Sequence, residues 1–217
     1  MSNRTKFIIT PDILLRAYAA GIFPMADNAT STDLRWFDPP IRAVIPLDSH
    51  FHVPRRLKRT IRQRPYKVKL NTAFGNVIRA CAQPRAKESE TWINQEIIQL
   101  YTELYKMDRA HSVEVWDGNE LIGGLYGVSL GSAFFGESMF STRTDTSKIA
   151  LVHLVALIRH CGFTLLDTQF QTEHLTRFGT TEITRANYHH FLEEALKRPA
   201  HVISLDPDIW HTLACQA

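Results

Sequence analysis

The chain is predicted to adopt an α/β (α+β) fold: a mixed sheet flanked by helices and preceded by a small N-terminal lobe. Three observations lead to this class. Ser112 to Trp116, Leu121 to Val128 and Ala133 to Phe140 are β-rich runs joined by Asp117-Gly118-Asn119 and by Ser129 to Ser132, the pattern of an antiparallel meander. A long helical stretch follows from about Thr146 to His160, closed by Gly162. Behind it come the apolar run FTLLDT, Phe163 to Thr168, and a further helix from Ala186 to Lys197. Strands, helix, strand, helix in that order imply a sheet that turns from antiparallel to parallel across the Thr146 helix.

The remaining elements follow from local signals. Thr10-Pro11-Asp12 supplies an N-cap, a proline in the first turn and an acid there, so a helix runs to about Ala20 and stops at Gly21. Ala26 to Asp33 is polar and turn-prone, and Pro39-Pro40 breaks the chain before the strand-like AVIPL of Ala43 to Leu47. Val53 to Gln63 reads as a helix with Leu57 and Ile61 on one side, and Tyr66 to Leu70 alternates as a strand. Asn76 to Ala82 and Asn94 to Lys106 read as helices, the second with the apolar stripe Ile97, Ile98, Leu100, Tyr101 and Leu104. The division expected is a small lobe over 1–48 and a larger domain over 49–217.

Composition narrows the class of protein. At 217 residues, 44% apolar and 22% charged, with 10 Gly and 10 Pro, the chain has the usage of an ordinary globular protein, which excludes collagen-like and low-complexity readings. No apolar run reaches the roughly 18 residues that a membrane span needs, and MSNRTKF has no signal-peptide apolar core, so a cytoplasmic location without membrane partners is expected. Cys81, Cys161 and Cys215 are odd in number and far apart, which argues against a disulfide framework or a cysteine-rich metal site. No ligand set for a metal is expected: His50-x-His52 lacks a third partner.

The net charge of +3 conceals a segregation. Between Asp48 and Glu88 there is no acidic residue and there are eleven basic ones: Arg55, Arg56, Lys58, Arg59, Arg62, Arg64, Lys67, Lys69, Arg79, Arg85 and Lys87. The rest of the chain is acidic on balance. A field divided in this way favours a polyanion on one side of the molecule.

Two places could hold chemistry. Asp167 lies at the carboxyl end of the FTLLDT strand with Gln169 two residues on, and ligands of open α/β sheets bind at such ends. A carboxylate and an amide there could orient an attacking amine; a strand-end Asp could equally cap a loop. In GESMFS, Gly136 to Ser141, strand alternation would put Glu137 and Met139 on one face and Ser138 on the other. A carboxylate among Phe134, Phe135, Met139 and Phe140 needs a partner, either a cationic substrate or an internal ion pair with Lys148 or Arg143. Ser138 lacks the surroundings of a hydrolase nucleophile. The junction STRTDTSK, ahead of the Thr146 helix, has none of the glycines with which an acyl-CoA acetyltransferase cradles pyrophosphate. Neither GxxxxGK[ST] nor GxGxxG occurs.

Seven ordered motifs, AYAAGIFPM, WFDPPIRAVIPL, ETWI, HSVEVWDGNELIGGLYGV, GESMFS, SKIALVHL and LLDTQF, together resemble the leucyl/phenylalanyl-tRNA-protein transferases from Thr10 to about Leu196. The resemblance implies an acetyltransferase-like (GNAT) domain that uses aminoacyl-tRNA in place of acyl-CoA, with no other cofactor. It implies transfer of Leu or Phe, and less often Met, to proteins with N-terminal Arg or Lys, which marks them as N-degrons. By position it makes Asp167 and Gln169 catalytic and Glu137 the acidic site residue. It also places the amino-acid pocket at Leu125, Phe134, Ser138 and Met139, and Trp36 and Trp92 around the 3′ end of the tRNA. The acceptor stem falls to the basic stretch 49–87, chiefly Arg55, Arg56, Lys58, Arg59, Arg62, Arg64 and Lys67, because phosphate neutralisation gives affinity without base reading. A monomer is expected. An acyl-CoA N-acetyltransferase and a non-catalytic RNA-binding module are the other classes considered.

Overall fold

The computed structural model describes residues 9–84 and 91–217. Arg85 and Lys87 of the basic stretch, and Glu90 of ETWI, lie outside the described residues. The chain opens with α1 (Pro11–Ala19), whose N-cap Thr10 accepts from the Ile13 amide at 3.3 Å. Gly21 then takes φ +77°, a backbone state suited to glycine, and turns the chain into the hairpin of β1 (Phe23–Ala26) and β2 (Leu34–Phe37).

A seven-stranded mixed sheet forms the body. Its strands are β3 (Ile41–Ile45), β4 (Lys67–Leu70), β5 (Ala110–Asp117), β6 (Glu120–Leu130), β7 (Ala133–Ser141), β8 (Leu165–Asp167) and β9 (Thr181–Thr184), in the spatial order β4-β5-β6-β7-β8-β3-β9. β5, β6 and β7 form the expected antiparallel meander, and β7 and β8 are parallel across the long helix α5 (Thr146–His160). The sheet then reverts to antiparallel, because β3 inserts between β8 and β9. Ile41–Ile45, read from the sequence as part of the first lobe, is thus an inner strand of the main sheet.

Helices cover both faces. α5 packs on one with α2 (Arg55–Gln63) and α8 (Pro207–Gln216), closing a core that includes Leu57, Ile61, Val113, Leu125, Leu154 and Trp210. On the other lie α1, α3 (Phe74–Cys81), α4 (Gln95–Lys106) and α7 (Arg185–Leu196), around Tyr18, Val77, Tyr101, Tyr126, Phe135 and Tyr188. A one-turn helix, α6 (Glu173–Thr176), follows β8. Among the described residues, no helix is long and apolar enough to cross a membrane.

One irregularity positions the site. The β6–β7 register shifts between Tyr126 and Gly127: Tyr126 pairs with Ser138 and Gly127 with Gly136, so Glu137 is the extra residue of a β-bulge. This corrects the strand alternation expected for GESMFS. Met139 packs with the α5-side core, while Glu137 reaches the tyrosines of the opposite core. β7 and β8 pair only from Ala133 to Phe135, and β8 stops at Asp167. Past that point β7 has β6 on one side and a notch on the other.

Gly127 is needed at the bulge. A Cβ there would lie 2.3 Å from the Phe135 carbonyl oxygen and 2.4 Å from the Phe134 ring. We expect Gly127→Ala to lower stability by roughly 1–3 kcal/mol, the range of overpacking in a well-filled core, read as a lower urea midpoint. An unchanged midpoint would contradict the bulge geometry.

Candidate active site

The notch opens a cavity of about 550 Å³. Its apolar chamber is built from Leu125 of β6, Met139 of β7, Leu151 and Leu154 of α5, Leu166 of β8 and Leu175 of α6. The other wall comes from the N-terminal hairpin and its neighbours, with Phe23, Met25, Trp92 and Phe170, while Glu137, Ser138 and Gln169 line the space between. A smaller cavity of about 300 Å³, between β4 and α8, brings no carboxylate to its walls.

Asp167 stands behind the cavity and is fully buried. Arg42 of β3 grips it through Nε to Oδ1 at 3.0 Å and Nη2 to Oδ2 at 2.7 Å. The Tyr188 hydroxyl donates to Oδ2 at 2.8 Å, and the Gln169 backbone N–H to Oδ1 at 2.8 Å. Arg42 also donates to the Gly21 carbonyl at 2.9 Å and lies between the rings of Phe23 and Tyr188, 4.6 and 4.2 Å from their centroids. Burial opposes the guanidinium charge, but the hydrogen bonds and charge of Asp167 outweigh it and hold the Arg42 pKa above its ordinary value.

Gln169 follows in a left-handed conformation, φ +57°. Asp167 fixes its amide from one side, and the bonds Thr168 N to Ala43 O and Ala43 N to Gln169 O, at 3.0 and 3.1 Å, pin the turn to β3. This turn, rather than strand alternation, brings the Gln169 side chain to the cavity, with Nε2 3.5 Å from Glu137 Oε1.

Glu137 is the one carboxylate lining the cavity among the described residues. Tyr18 of α1 donates to Oε1 at 2.7 Å and Tyr101 of α4 to Oε2 at 3.2 Å, and the two hydroxyls also touch each other. Burial pushes the Glu137 carboxyl up to about 7; Asp167 adds to the rise, while the tyrosine hydrogen bonds and Arg42 oppose it. Burial and the charge of Glu137 keep Tyr18 and Tyr101 far above their ordinary pKa, so they remain donors. The internal ion pair considered from the sequence does not form. Lys148 pairs with Asp145, and Arg143 with Asp117 and Glu120.

The sequence model of the leucyl/phenylalanyl-tRNA protein transferases matches residues 44–193, and that of their N-terminal domain residues 8–40. A leucyl/phenylalanyl-tRNA--protein transferase of Paramagnetospirillum magneticum (strain ATCC 700264 / AMB-1) is 56% identical over 192 residues, covering 88% of this chain and 91% of that protein. The chain belongs to the leucyl/phenylalanyl-tRNA protein transferase family.

In this transferase the residues expected at the site divide. Gln169, Glu137, Leu125, Ser138, Met139 and Trp92 meet in one cavity. Asp167 supports it from behind. Phe134 does not reach it: the ring is fully buried beside Phe163 and His111. Trp36, on β2 opposite Pro24, is 39% exposed and outside the cavity wall. Sequence reasoning missed Arg42, Tyr18, Tyr101 and Tyr188 as site residues, and the chamber leucines of α5 and α6. The lone arginine in the apolar-rich IRAVI was the available signal, since a buried cation demands an acid.

Two stability measurements test these pairings. Arg42→Met should cost about 3–5 kcal/mol, because it leaves a buried charge unpaired, whereas Tyr188→Phe removes one hydrogen bond to that charge and should cost about 1.5–3 kcal/mol. Similar losses from both in urea unfolding would deny Arg42 the main role. Glu137 has a folded pKa above its unfolded value, so its contribution to stability is complete below the ordinary range and lost as pH rises through about 7. Glu137→Gln should therefore flatten the decline in stability from acid to neutral pH.

Proposed function

We propose that the chain transfers leucine or phenylalanine, and less often methionine, from aminoacyl-tRNA to the α-amino group of proteins that begin with Arg or Lys, creating an N-degron. The observation that carries this reading is the single cavity that joins an apolar chamber to one carboxylate and one amide. The chamber suits a branched or aromatic side chain of the donor. Beside it, Glu137 supplies the negative end that a cationic N-terminal residue requires, and Gln169 has an amide to orient the nucleophile. The amine attacks the ester carbonyl, the C–N bond forms, and the ester oxygen leaves with the terminal ribose. The ester is already activated, so holding the reactants in register supplies much of the acceleration.

Asp167 contributes by fixing Gln169. Its position behind the cavity, saturated by four donors, suits it to orientation. Trp92 presents an aromatic face on the cavity wall for the terminal base, and Trp36 offers a second in the neighbouring hairpin.

The tRNA would lie on α2. Arg55, Arg59 and Arg62 are exposed, share one side of the helix and make no ion pair among the described residues, and α2 contains no acid. Their neighbours are engaged: Arg56 with Asp145, Lys58 with the Ala217 carbonyl, and Arg64 with Asp208. Lys67 extends the exposed charge onto β4. An acyl-CoA donor fits the fold poorly. At the start of α5, where pyrophosphate would need free amides, Asp145 occupies the cap position and Ser141 Oγ accepts from the Ser147 amide.

Transfer of labelled Phe from Phe-tRNA to an Arg-initiated peptide tests the activity. Absence of transfer, with acetyl transfer from acetyl-CoA instead, would overturn it. Replacing Arg55, Arg59 and Arg62 by Ala should raise the apparent constant for Phe-tRNA and reduce the slope of log K against log salt by roughly one for each phosphate that is no longer neutralised. An unchanged slope would place the RNA elsewhere.

A further inference from the structure

We propose that the free edge of β4 is a docking site for an extended acidic segment of a partner protein, one that carries an aromatic residue between two carboxylates. β4 is the outermost strand of the sheet and pairs only with β5. The Asn71 backbone N–H donates to the Ser112 carbonyl at 2.9 Å, which fixes the phase of that antiparallel ladder. Counting back from Asn71, Lys69 and Lys67 turn their backbone groups toward β5, while Val68 and Leu70 turn theirs outward. Among the described residues, no other backbone segment bonds to these outward groups. The smaller cavity, of about 300 Å³, runs along this edge. Four consecutive residues, Tyr66 to Lys69, line it, which a cavity confined to one face of a strand would not allow because side chains alternate.

The apolar part of the lining is Val68 with Ile61 of α2, Ile149 of α5 and Trp210 of α8. His153 of α5 adds one polar point. It is 3% exposed, and its Nδ1 donates to the Ile149 carbonyl at 2.8 Å, so Nε2 is an acceptor that no donor among the described residues meets. Burial lowers its pKa to about 4 and keeps that acceptor unprotonated. An indole N–H or a phenol hydroxyl entering between the apolar walls would satisfy it. The opposite side of β4 sets the charge. Val68 and Leu70 pack on the α5-side core, whereas Lys67 and Lys69 face the other way, with Lys69 Nζ 4.7 Å from the centre of the Trp116 ring. Glu114, opposite Lys69, is fully buried, and its oxygens accept from Thr72, Ala73 and Ser112. A strand laid against β4 therefore has its pattern dictated. The residue opposite Val68 enters the cavity, and its two neighbours stand opposite Lys67 and Lys69, where carboxylates fit. A second copy of this chain is the wrong partner, because antiparallel pairing of two β4 edges about Val68 would set Lys67 of one against Lys69 of the other. Lys67 borders the RNA surface proposed on α2, which makes RNA the competing occupant. Duplex RNA would supply phosphates to the lysines but nothing apolar to the cavity.

The test is fluorescence anisotropy of the whole chain with a fluorescein-labelled peptide Thr-Glu-Trp-Glu-Thr, joined to amide hydrogen exchange. The acidic peptide should bind saturably and slow exchange at Val68 and Leu70, and Thr-Lys-Trp-Lys-Thr should do neither. Phe in place of the peptide's Trp leaves His153 Nε2 unmet and should weaken binding several-fold. Val68→Pro removes an outward N–H without touching the β4–β5 ladder and should weaken binding by about tenfold. The paired charge reversal, Lys67→Glu with Lys69→Glu, should transfer the preference to the lysine peptide. The wild-type exchange result stands by itself if Val68→Pro disturbs folding. Equal binding of the two peptides, or protection that leaves Val68 and Leu70 unchanged, would overturn the proposal. Protection of those two amides by uncharged tRNA and not by the acidic peptide would overturn it as well and assign the edge to RNA.

Discussion

The buried ion pair between Arg42 and Asp167 is the constraint on which the site depends. Two opposite charges taken out of water gain from each other only if nearly every donor and acceptor is met. Here Asp167 has four donors, and Arg42 has the carboxylate, a backbone carbonyl and two aromatic faces. Such a pair adds little to stability compared with apolar packing, but it tolerates no displacement of its partners. Those partners are the Gly21 turn of the N-terminal part, the inner strand β3, the end of β8 and helix α7. One ion pair therefore sets the relative position of the hairpin wall, the Gln169 turn and the sheet.

The second constraint is the bulge. A regular β7 would carry its alternation through GESMFS and place Met139 on the same side as Phe135 and Glu137, away from the leucines of the α5 core. The extra residue reverses that outcome for Met139, which turns to the chamber while Glu137 meets two tyrosines. The notch arises because β8 ends where β7 continues. A cavity lined by residues of both cores follows from unequal strand lengths, and the segment after β8 closes its edge with Thr168, Gln169, Phe170 and Thr172.

Much of the fold was legible because it rests on periodicity. The meander, α5, α4 and the parallel β7–β8 pair follow from apolar spacing and from turn residues at their ends. β3 was recognisable as a strand, but its place between β8 and β9 was not, since pairing partners far apart in sequence leave no periodic trace. The short β1, β2 and β9, four residues each, carry too few positions for a pattern. At the site, Asp167, Gln169 and Glu137 could be singled out because polar residues in apolar runs need an explanation. Their division of roles was not legible, because it depends on Arg42 and Tyr188, 125 and 21 residues away from Asp167. Phe134 stands apart from the cavity wall for a related reason. Its neighbours in GESMFS face the cavity, but Phe134 precedes the bulge and obeys the ordinary alternation into the core.

The segregated charge gains a physical meaning from this geometry. On the proposed reading, the donor brings phosphates to within a Debye length, about 8–10 Å, of the cavity, and a permanent carboxylate at its wall would repel them. A carboxylate whose pKa burial has raised to about 7 is neutral part of the time, so the repulsion is weakened. The acid behind the cavity is already neutralised by Arg42, and Asp145 at the start of α5 is held by Arg56 and Lys148. The exposed arginines of α2 are left to face the RNA. Separating the cationic surface from a chamber with one weakly ionised acid lets the same molecule attract a polyanion and a cationic N-terminus, each to its own place.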